Sequence, residues 1–323
     1  MRTWVKIVIP TVLLTIGVVV CAFRWQAWFG MPEEPRWTGD TLTYEFSTFG
    51  RDSVPGFVFC DSAWQDTLSP ESLDILVLGD IHNRLTKADY DSLALREPNV
   101  DITAQVGDWM DRGYFYYHQL LLREFSETGL KDKPVINCPG NHEYTKGLHK
   151  RLSEEWQVCF PQPESSLAVP GVFYYVDFPQ LRFIVLDTNP LERLVYLTRT
   201  VTWLQEAINH ADGRYTVVMM HHPVYSAGKG RSNPLIYAAF RHVLGQADLV
   251  LAGHDHSYMR RIPFVVLNSG GHLKIPRNSA KSECVSENPV YGVISIKPDC
   301  SALAFKVHRL SDGSCIDSVY VKH

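Results

Sequence analysis

The chain has 323 residues, of which 45% are hydrophobic and 12% aromatic, so it can bury a substantial core and intrinsic disorder is excluded. Its formal net charge of -4 and its pI near 6.3 exclude the basic surface that nucleic-acid binding requires. They also argue against a polyanionic partner held by charge alone.

The first element in chain order is an uncharged apolar run over residues 7–23. Counted from Trp4, it approaches the roughly 20 residues that are needed to cross a bilayer. Aromatic side chains follow where an interfacial belt would lie, namely Trp25, Trp28 and Phe29. A cleaved signal peptide usually has a shorter apolar region that ends at small residues. We therefore predict that residues 1–28 form a membrane anchor or signal segment, with an uncleaved transmembrane helix favoured.

This segment sets the expected location. We predict a single-pass protein that is anchored in the membrane, with its catalytic domain outside the cytoplasm. An exported soluble protein and a lipoprotein modified at Cys21 are the alternatives, although Val20 stands where a lipoprotein signal has a small residue. Residues 29–72 are predicted to be a juxtamembrane linker with a strand pair over 41–59.

Residues 73–323 are predicted to form one domain in which apolar strands alternate with helices. Five strands are expected over 73–78, 100–106, 134–138, 215–220 and 248–252, with further strands near 172–176 and 181–186. Helices are expected near 87–96, 114–127, 200–209 and 235–244. A β-rich tail follows over 264–267, 290–296, 303–307 and 316–321. The pattern indicates an α/β fold.

Each of the first five strands ends in a cluster of Asp, His or Asn. In α/β folds the loops at the carboxyl ends of strands converge on ligands and catalysts, so we expect these clusters to meet. Seven residues in them can ligate a metal: Asp80, His82, Asp108, Asn141, His221, His254 and His256. Their mixture of oxygen and nitrogen atoms suits Mn, Fe or Zn better than Mg or Ca. Seven ligands exceed the need of one ion, which indicates two ions that share a carboxylate.

The ordered motifs GDIH (79–82), GDWMDRG (107–113), GNHE (140–143), MMHH (219–222) and GHDH (253–256) resemble the signature of the calcineurin-like metallophosphoesterases. The resemblance implies a four-layer sandwich of two facing β-sheets flanked by helices. It also implies that one metal is held by Asp80, His82, Asp108 and His256. Asp108 would bridge to a second metal, which is completed by Asn141, His221 and His254.

The first motifs are similar to those of the serine/threonine phosphoprotein phosphatases. That similarity implies that Asp111 supports His142 and that Arg112 grips phosphate, although Asn83 stands where that family has Gly. The distal motifs are instead similar to those of the purple acid phosphatases. Those enzymes take a tyrosinate ligand at the position of Asp111, so we expect no purple tyrosinate–iron colour.

The predicted function is metal-dependent hydrolysis of phosphoric esters by a hydroxide that bridges two ions, acting on phosphomonoesters. His142 would protonate the leaving group as a general acid, and Asn141 would contact both a metal and a phosphate oxygen. A phosphodiesterase or pyrophosphatase acting on nucleotide or lipid-linked substrates is the alternative. A non-catalytic scaffold with the same fold is a third hypothesis. No nucleic-acid binding is expected, and the sequence leaves the oligomeric state open.

Overall fold

The computed structural model describes residues 73–113, 115–146, 150–160, 167, 169–191, 194–226, 234–270, 282–296 and 302–322. The predicted segment 1–28 and linker 29–72 lie outside the described residues. Among the helices that are described, none combines the length and apolar character that a bilayer crossing requires.

The first sheet has six strands in the order β13-β12-β11-β1-β2-β3. Their bounds are β1 Leu73–Leu78, β2 Ile102–Gln105, β3 Val135–Asn137, β11 Val290–Ile296, β12 Leu303–Arg309 and β13 Cys315–Val321. β1, β2 and β3 are parallel, with Ile75 opposite Ile102 and Thr103 opposite Val135. β11, β12 and β13 continue the sheet as an antiparallel meander. The carboxyl ends of β1, β2 and β3 therefore share one edge.

The second sheet has seven strands in the order β10-β8-β9-β7-β6-β5-β4. Their bounds are β4 Phe173–Asp177, β5 Leu181–Leu186, β6 Tyr215–Met220, β7 Leu249–Ala252, β8 Tyr258–Arg261, β9 Phe264–Val266 and β10 Cys284–Ser286. β5, β6, β7 and β9 are parallel. Parallel neighbours need a crossover connection of a dozen or more residues, and in this sheet a helix follows β5 and another follows β6.

Every residue of β6 is buried, because both faces of the second sheet are covered. Val217 and Met219 belong to the core between the two sheets, whereas Val218 and Met220 belong to a separate apolar cluster on the other face. This alternation is the period of two that a strand imposes on its side chains. The second cluster is completed by α4, Leu194–Asn209, and α5, Pro234–Leu244.

The remaining described helices are α1, Lys87–Arg96, α2, Phe115–Phe125, and α3, Glu154–Cys159. α1 and α2 contribute buried residues to the core of the first sheet. Thr86 begins α1 with reciprocal bonds, since its Oγ1 accepts from the Asp89 N–H at 3.4 Å and its own N–H donates to Asp89 Oδ2 at 2.8 Å. The predicted α/β sandwich of two sheets with helices is confirmed.

Three short elements were not predicted: α3, β8 and β10. α3 has six residues, too few to display a helical period, and Ser153 begins it by accepting from the Trp156 N–H at 3.0 Å. β8 has the sequence YMRR, whose two arginines conceal its strand character. α4 also begins at Leu194, several residues before the predicted start near 200, because Leu197 packs into the second apolar cluster.

One ion-pair cluster connects β13, an edge strand of the first sheet, to β8 of the second sheet. Asp317 on β13 accepts from Tyr258 Oη at 2.7 Å and from Arg260 Nε at 2.7 Å, both on β8. Arg260 Nη2 donates to the second carboxylate oxygen at 3.1 Å, which makes the pair bidentate. Burial alone would raise the pKa of Asp317. The hydrogen bonds from Arg260 and Tyr258 lower this pKa by more than burial raises it, so the net shift is downward.

We predict that Asp317→Asn lowers the free energy of unfolding by about 2 kcal/mol at neutral pH, since a charge-assisted pair is lost. A carboxyl group whose pKa is lower in the folded protein stabilises the fold at pH values above its pKa in the unfolded chain, about 3.9. This stabilisation is lost as the pH falls through the pKa of the folded state. Urea titrations at neutral pH and near pH 3 should therefore show a difference that shrinks in acid. Asp132→Asn, at an exposed position, is the control. A difference that persists in acid would contradict this assignment.

Candidate metal centre

The segments after β1, β2, β3, β6 and β7 converge at one edge of the sandwich. Within the first sheet, the Asp80 N–H donates to Gly107 O at 3.1 Å and the His82 N–H to Asp108 O at 3.0 Å. Across the sheets, the His254 N–H donates to Asp80 Oδ1 at 2.9 Å. The structure thus brings all seven predicted ligands together.

The first ligand group contains Asp80, His82, Asp108 and His256, all buried, with candidate ligand atoms within 4.8 Å of one another. Asp80 Oδ2 and His82 Nε2 have no hydrogen-bond partner, although both are buried. A buried polar atom without a partner is unfavourable by about 1–3 kcal/mol or more. Two such atoms among four metal-ligating side chains fit a bound cation.

The second ligand group contains Asn141, His221 and His254. Asn141 Oδ1 lies 3.2 Å from His221 Nε2 and 2.9 Å from His254 Nδ1, and the two nitrogens are 3.3 Å apart. His221 Nδ1 lies 3.0 Å from the carbonyl oxygen of Val106 and can donate to it. That bond would leave the lone pair of Nε2 directed at the centre, as metal-binding histidines require.

Asp108 lies between the two groups. Its Oδ1 accepts from the His142 N–H at 2.8 Å, which fixes the carboxylate. Its Oδ2 is 3.3 Å from His221 Nε2 and 3.7 Å from His82 Nε2. One oxygen atom thus faces a histidine from each group, and this is the position that a bridging carboxylate would occupy.

The electrostatics of the centre are those of buried carboxylates in close contact. Burial raises the pKa of Asp80 to about 7, and the neighbouring Asp108 adds to the shift. Burial also opposes ionisation of Asp108, but its pKa is held well below the ordinary value by the charge of His221 and by the other imidazoles. Two buried carboxylates cannot both ionise readily without compensating positive charge. Metal cations would supply that charge.

The backbone of the centre is strained. Seven non-glycine residues in the described part of the chain have positive φ, and all except Asp212 lie in the motifs of the centre or directly beside them. The six are Asp80, His82, Asn83, Asp108, His254 and His256, with φ between 49° and 72°. Such conformations are unfavourable for residues with a Cβ atom and persist where the surrounding structure holds them. Their concentration at one edge indicates a functional site.

Glu143 is the residue that holds two of these loops in place. Its Oε2 accepts from the Asp108 N–H at 2.9 Å and from the Gly140 N–H at 2.7 Å, and its Oε1 accepts from the Met110 N–H at 3.1 Å. The side chain is buried, and burial raises its pKa to about 7. No role could be assigned to Glu143 from the sequence, because its three partners are backbone atoms that no motif displays.

Gly140 permits the same two loops to touch. A Cβ atom at this position would lie 2.2 Å from Asp108 Oδ1 and 2.4 Å from the Asp108 nitrogen. Both atoms belong to the candidate bridging residue, so neither can move without disturbing the centre. A side chain at residue 140 is therefore incompatible with this arrangement.

His142 lies at the open side of the centre, with about a quarter of its side chain exposed and its Nε2 3.9 Å from Asp108 Oδ2. The sequence predicted that the Asp111 carboxylate supports this ring, and the structure differs. The backbone carbonyl of Asp111 contacts His142 Nδ1 at 2.5 Å, whereas the carboxylate lies 3.6 Å from His82 Nδ1. The Asp111 N–H donates to Asn83 Oδ1 at 2.7 Å, which holds this residue beside the first ligand group. Arg112 lies beside it, partly exposed.

His222 is a residue of the centre that the sequence analysis missed. Its ring lies 4.5 Å from that of His254 between centroids, and its candidate ligand atom is within 4.8 Å of those of His221 and His254. Its Nδ1 is 2.7 Å from Thr188 Oγ1, on the loop after β5. The signal in the sequence was the doubled histidine, of which only the first was assigned.

Comparison with known proteins agrees with this geometry. The family model for calcineurin-like phosphoesterases matches residues 73–258. The structure of the purple acid phosphatase PPD1 from yellow lupin (Lupinus luteus) seeds superposes with a TM-score of 0.62 at 16% identity, covering 78% of this chain and 54% of that one. GAP50, the anchor in the inner membrane complex of Plasmodium, superposes with a TM-score of 0.55 at 16% identity, covering 78% of this chain and 89% of that one.

These structural similarities show the fold alone. The chain spans about half the length of the lupin phosphatase, so that protein extends beyond the shared domain. No curated protein sequence matches the chain significantly.

We predict that the full-length chain, purified in detergent without chelator, carries about two transition-metal ions per molecule, since seven ligands exceed the need of one ion. Asp108→Asn should lower the metal content of both positions, because the carboxylate lies between them. Elemental analysis of the wild type and the variant is the measurement, with Asp132→Asn as the control. One ion or none in folded, active wild-type protein would rule out a dinuclear centre.

Proposed function

The chain belongs to the calcineurin-like phosphoesterases, a family of hydrolases of phosphoric esters, and we propose that it is a phosphomonoesterase with a dinuclear metal site. The observation that carries the proposal is the convergence, from five separate segments, of seven side chains that could ligate a metal, with Asp108 at their centre. The buried atoms Asp80 Oδ2 and His82 Nε2 support the proposal, because they have no hydrogen-bond partner and bound cations would provide one.

Each ligand group would hold one ion, and Asp108 would serve both. The mixed imidazole, carboxylate and amide set suits Mn, Fe or Zn. Ions bound there would supply Lewis acidity toward the phosphoryl oxygens and a nucleophilic water at neutral pH. The residues of the chain supply what remains: orientation of the ester, neutralisation of its outer charge, and a proton for the leaving group.

His142 is placed to supply that proton. The Asp111 carbonyl contacts Nδ1 and fixes the ring, so Nε2 faces the open side of the centre. Protonated at Nε2, the ring would donate to the departing alkoxide oxygen as a general acid. Burial lowers the pKa of His142, while the charge of Asp108 opposes that shift. Arg112, on the adjacent loop, would pair with the equatorial phosphate oxygens through its guanidinium fork.

Two alternatives differ in substrate or in class. A phosphodiesterase or pyrophosphatase would use the same residues, and comparison of p-nitrophenyl phosphate with bis(p-nitrophenyl) phosphate separates it from a monoesterase. A non-catalytic scaffold has a parallel in GAP50, which is named as an anchor and shares the fold. The complete ligand set around Asp108, together with His142, supports catalysis over a scaffold.

We predict that His142→Ala lowers kcat for alkyl phosphates by about 10²–10⁴-fold, because general-acid assistance is lost. The loss should be smaller for p-nitrophenyl phosphate, whose leaving group departs without much help from a proton. Metal content should change little, because the proposed ligand in this motif is Asn141 and not His142. Steady-state kinetics across a series of leaving groups, with His210→Ala as the control, measures the effect. Equal losses for all leaving groups would show that His142 has another role.

We also propose that residues 1–28 anchor the chain in a membrane, with the catalytic domain outside the cytoplasm. The support is the uncharged run over 7–23, which would bury more apolar surface than a charge contact could replace. The full-length protein should therefore remain in the membrane fraction after high-salt washing, and a chain lacking residues 1–28 should not. A soluble protein whose mature N-terminus follows residue 23 would overturn the anchor.

A further inference from the structure

Asp187 is a buried residue directly after β5, and its carboxylate accepts several hydrogen bonds from neighbouring loops. Oδ2 accepts from Tyr144 Oη at 2.6 Å and from the Val172 N–H at 3.2 Å. Oδ1 accepts from the backbone N–H and from the Nδ2 of Asn189, both at 2.9 Å. Because a carboxylate has about four acceptor positions, the protein itself uses the acceptor capacity of this residue.

The hydrogen bonds of Asp187 extend to the loop that carries Asn141, a candidate ligand of the second group. Asn189 Nδ2 donates to Pro139 O at 3.0 Å, and Pro139 lies two residues before Asn141. Tyr144, whose hydroxyl donates to Asp187, follows Asn141 by three residues. The loop after β5 therefore holds the loop after β3 on both sides of this ligand.

The residue between Asp187 and Asn189 contacts the loop that carries His221, another candidate ligand of the second group. Thr188 Oγ1 lies 2.7 Å from His222 Nδ1 and accepts from the His222 backbone N–H at 3.2 Å. His222 directly follows His221 in the sequence. Three consecutive residues after β5 thus connect two of the loops that provide the second ligand group.

The first ligand group is held by hydrogen bonds from other segments. Asp80 Oδ1 accepts from the His254 N–H at 2.9 Å. Glu143 accepts from the N–H groups of Asp108 and Met110 at 2.9 and 3.1 Å. None of these three bonds involves the loop after β5, so they would remain if the contacts of that loop were lost.

We propose that Asp187 is a positioning residue for the second metal position. Through Tyr144 and Asn189 it fixes the loop from which Asn141 directs Oδ1 toward the two histidine nitrogens, 3.2 and 2.9 Å away. The proposal rests on the proposed function, since it takes the centre to be dinuclear. Removal of the Asp187 carboxylate then weakens the binding of a divalent transition metal at the second position and leaves the first position occupied.

Asp187→Asn preserves the size of the side chain but replaces one acceptor oxygen with an NH₂ donor, which cannot accept from Tyr144 or Asn189. Equilibrium dialysis of the full-length chain in detergent against a series of Mn²⁺ concentrations, followed by elemental analysis, measures the two affinities. One affinity should fall roughly tenfold or more, and the other should be preserved. Anomalous diffraction from crystals of the variant identifies the position, because the peak beside Asn141 should weaken while the peak beside Asp80 remains.

Two further variants remove single contacts of the same network, and they test the proposal even if Asp187→Asn does not fold. Tyr144→Phe removes one hydrogen bond to the carboxylate, and Asn189→Ala removes the bond to Pro139. Each should lower the same affinity by a smaller factor. Asp317→Asn is the matched control, because it removes a hydrogen-bonded carboxylate on β13, outside the motifs of the centre, and should preserve both affinities.

Unchanged affinities in all three variants of the network would overturn the proposal. Equal losses at both positions would also overturn it, because they would show that Asp187 supports the fold in general. Hydrolysis of phenyl phosphate by the wild type is measured in parallel, since it tests the proposed function separately. Hydrolysis together with unchanged metal binding in the variants refutes only the role of Asp187, whereas a selective loss of the second ion without wild-type hydrolysis refutes only the proposed activity.

Discussion

The metal centre depends on the hydrogen bonds that one buried carboxylate makes to the backbone of two loops. Glu143 accepts from the N–H groups of Asp108, Met110 and Gly140, and it thereby holds the loops after β2 and β3 against each other. The contact is close enough that residue 140 must be glycine. Because the Asp108 backbone is held in a left-handed conformation, its carboxylate points between the two ligand groups. The remaining ligands are arranged around that oxygen.

The same principle recurs through the centre: one oxygen of each acidic ligand is tied to the backbone of a neighbouring motif, and the other faces inward. Asp80 accepts from the His254 N–H, and Asp108 accepts from the His142 N–H. These bonds cross between segments that are far apart in sequence, so the two sheets position one site. Fixed carboxylates reduce the reorganisation that metal binding and catalysis would otherwise require.

The sequence was sufficient to predict most of the strands and the candidate ligands that meet beyond them, because both are local patterns. β1, β5 and β6 have their predicted bounds, since each is a mainly apolar run that is followed by a polar or turn residue. What the sequence could not supply was the set of contacts between distant segments. Glu143 acts on backbone atoms, and His222 is identified by its distance from His254. The Asp111 N–H donates to Asn83 Oδ1, a contact between distant segments, and its carboxylate lies near His82, which was the feature predicted differently.

The dinuclear centre around Asp108 is tested most directly by anomalous X-ray diffraction from crystals of the protein grown with Mn²⁺. Two anomalous peaks about 3.5–4 Å apart are predicted, one beside each ligand group, with the Asp108 carboxylate between them. The first should lie against Asp80 Oδ2 and His82 Nε2, the buried atoms that have no other partner. A single peak, or peaks that leave Asp108 without a metal contact, would contradict this centre.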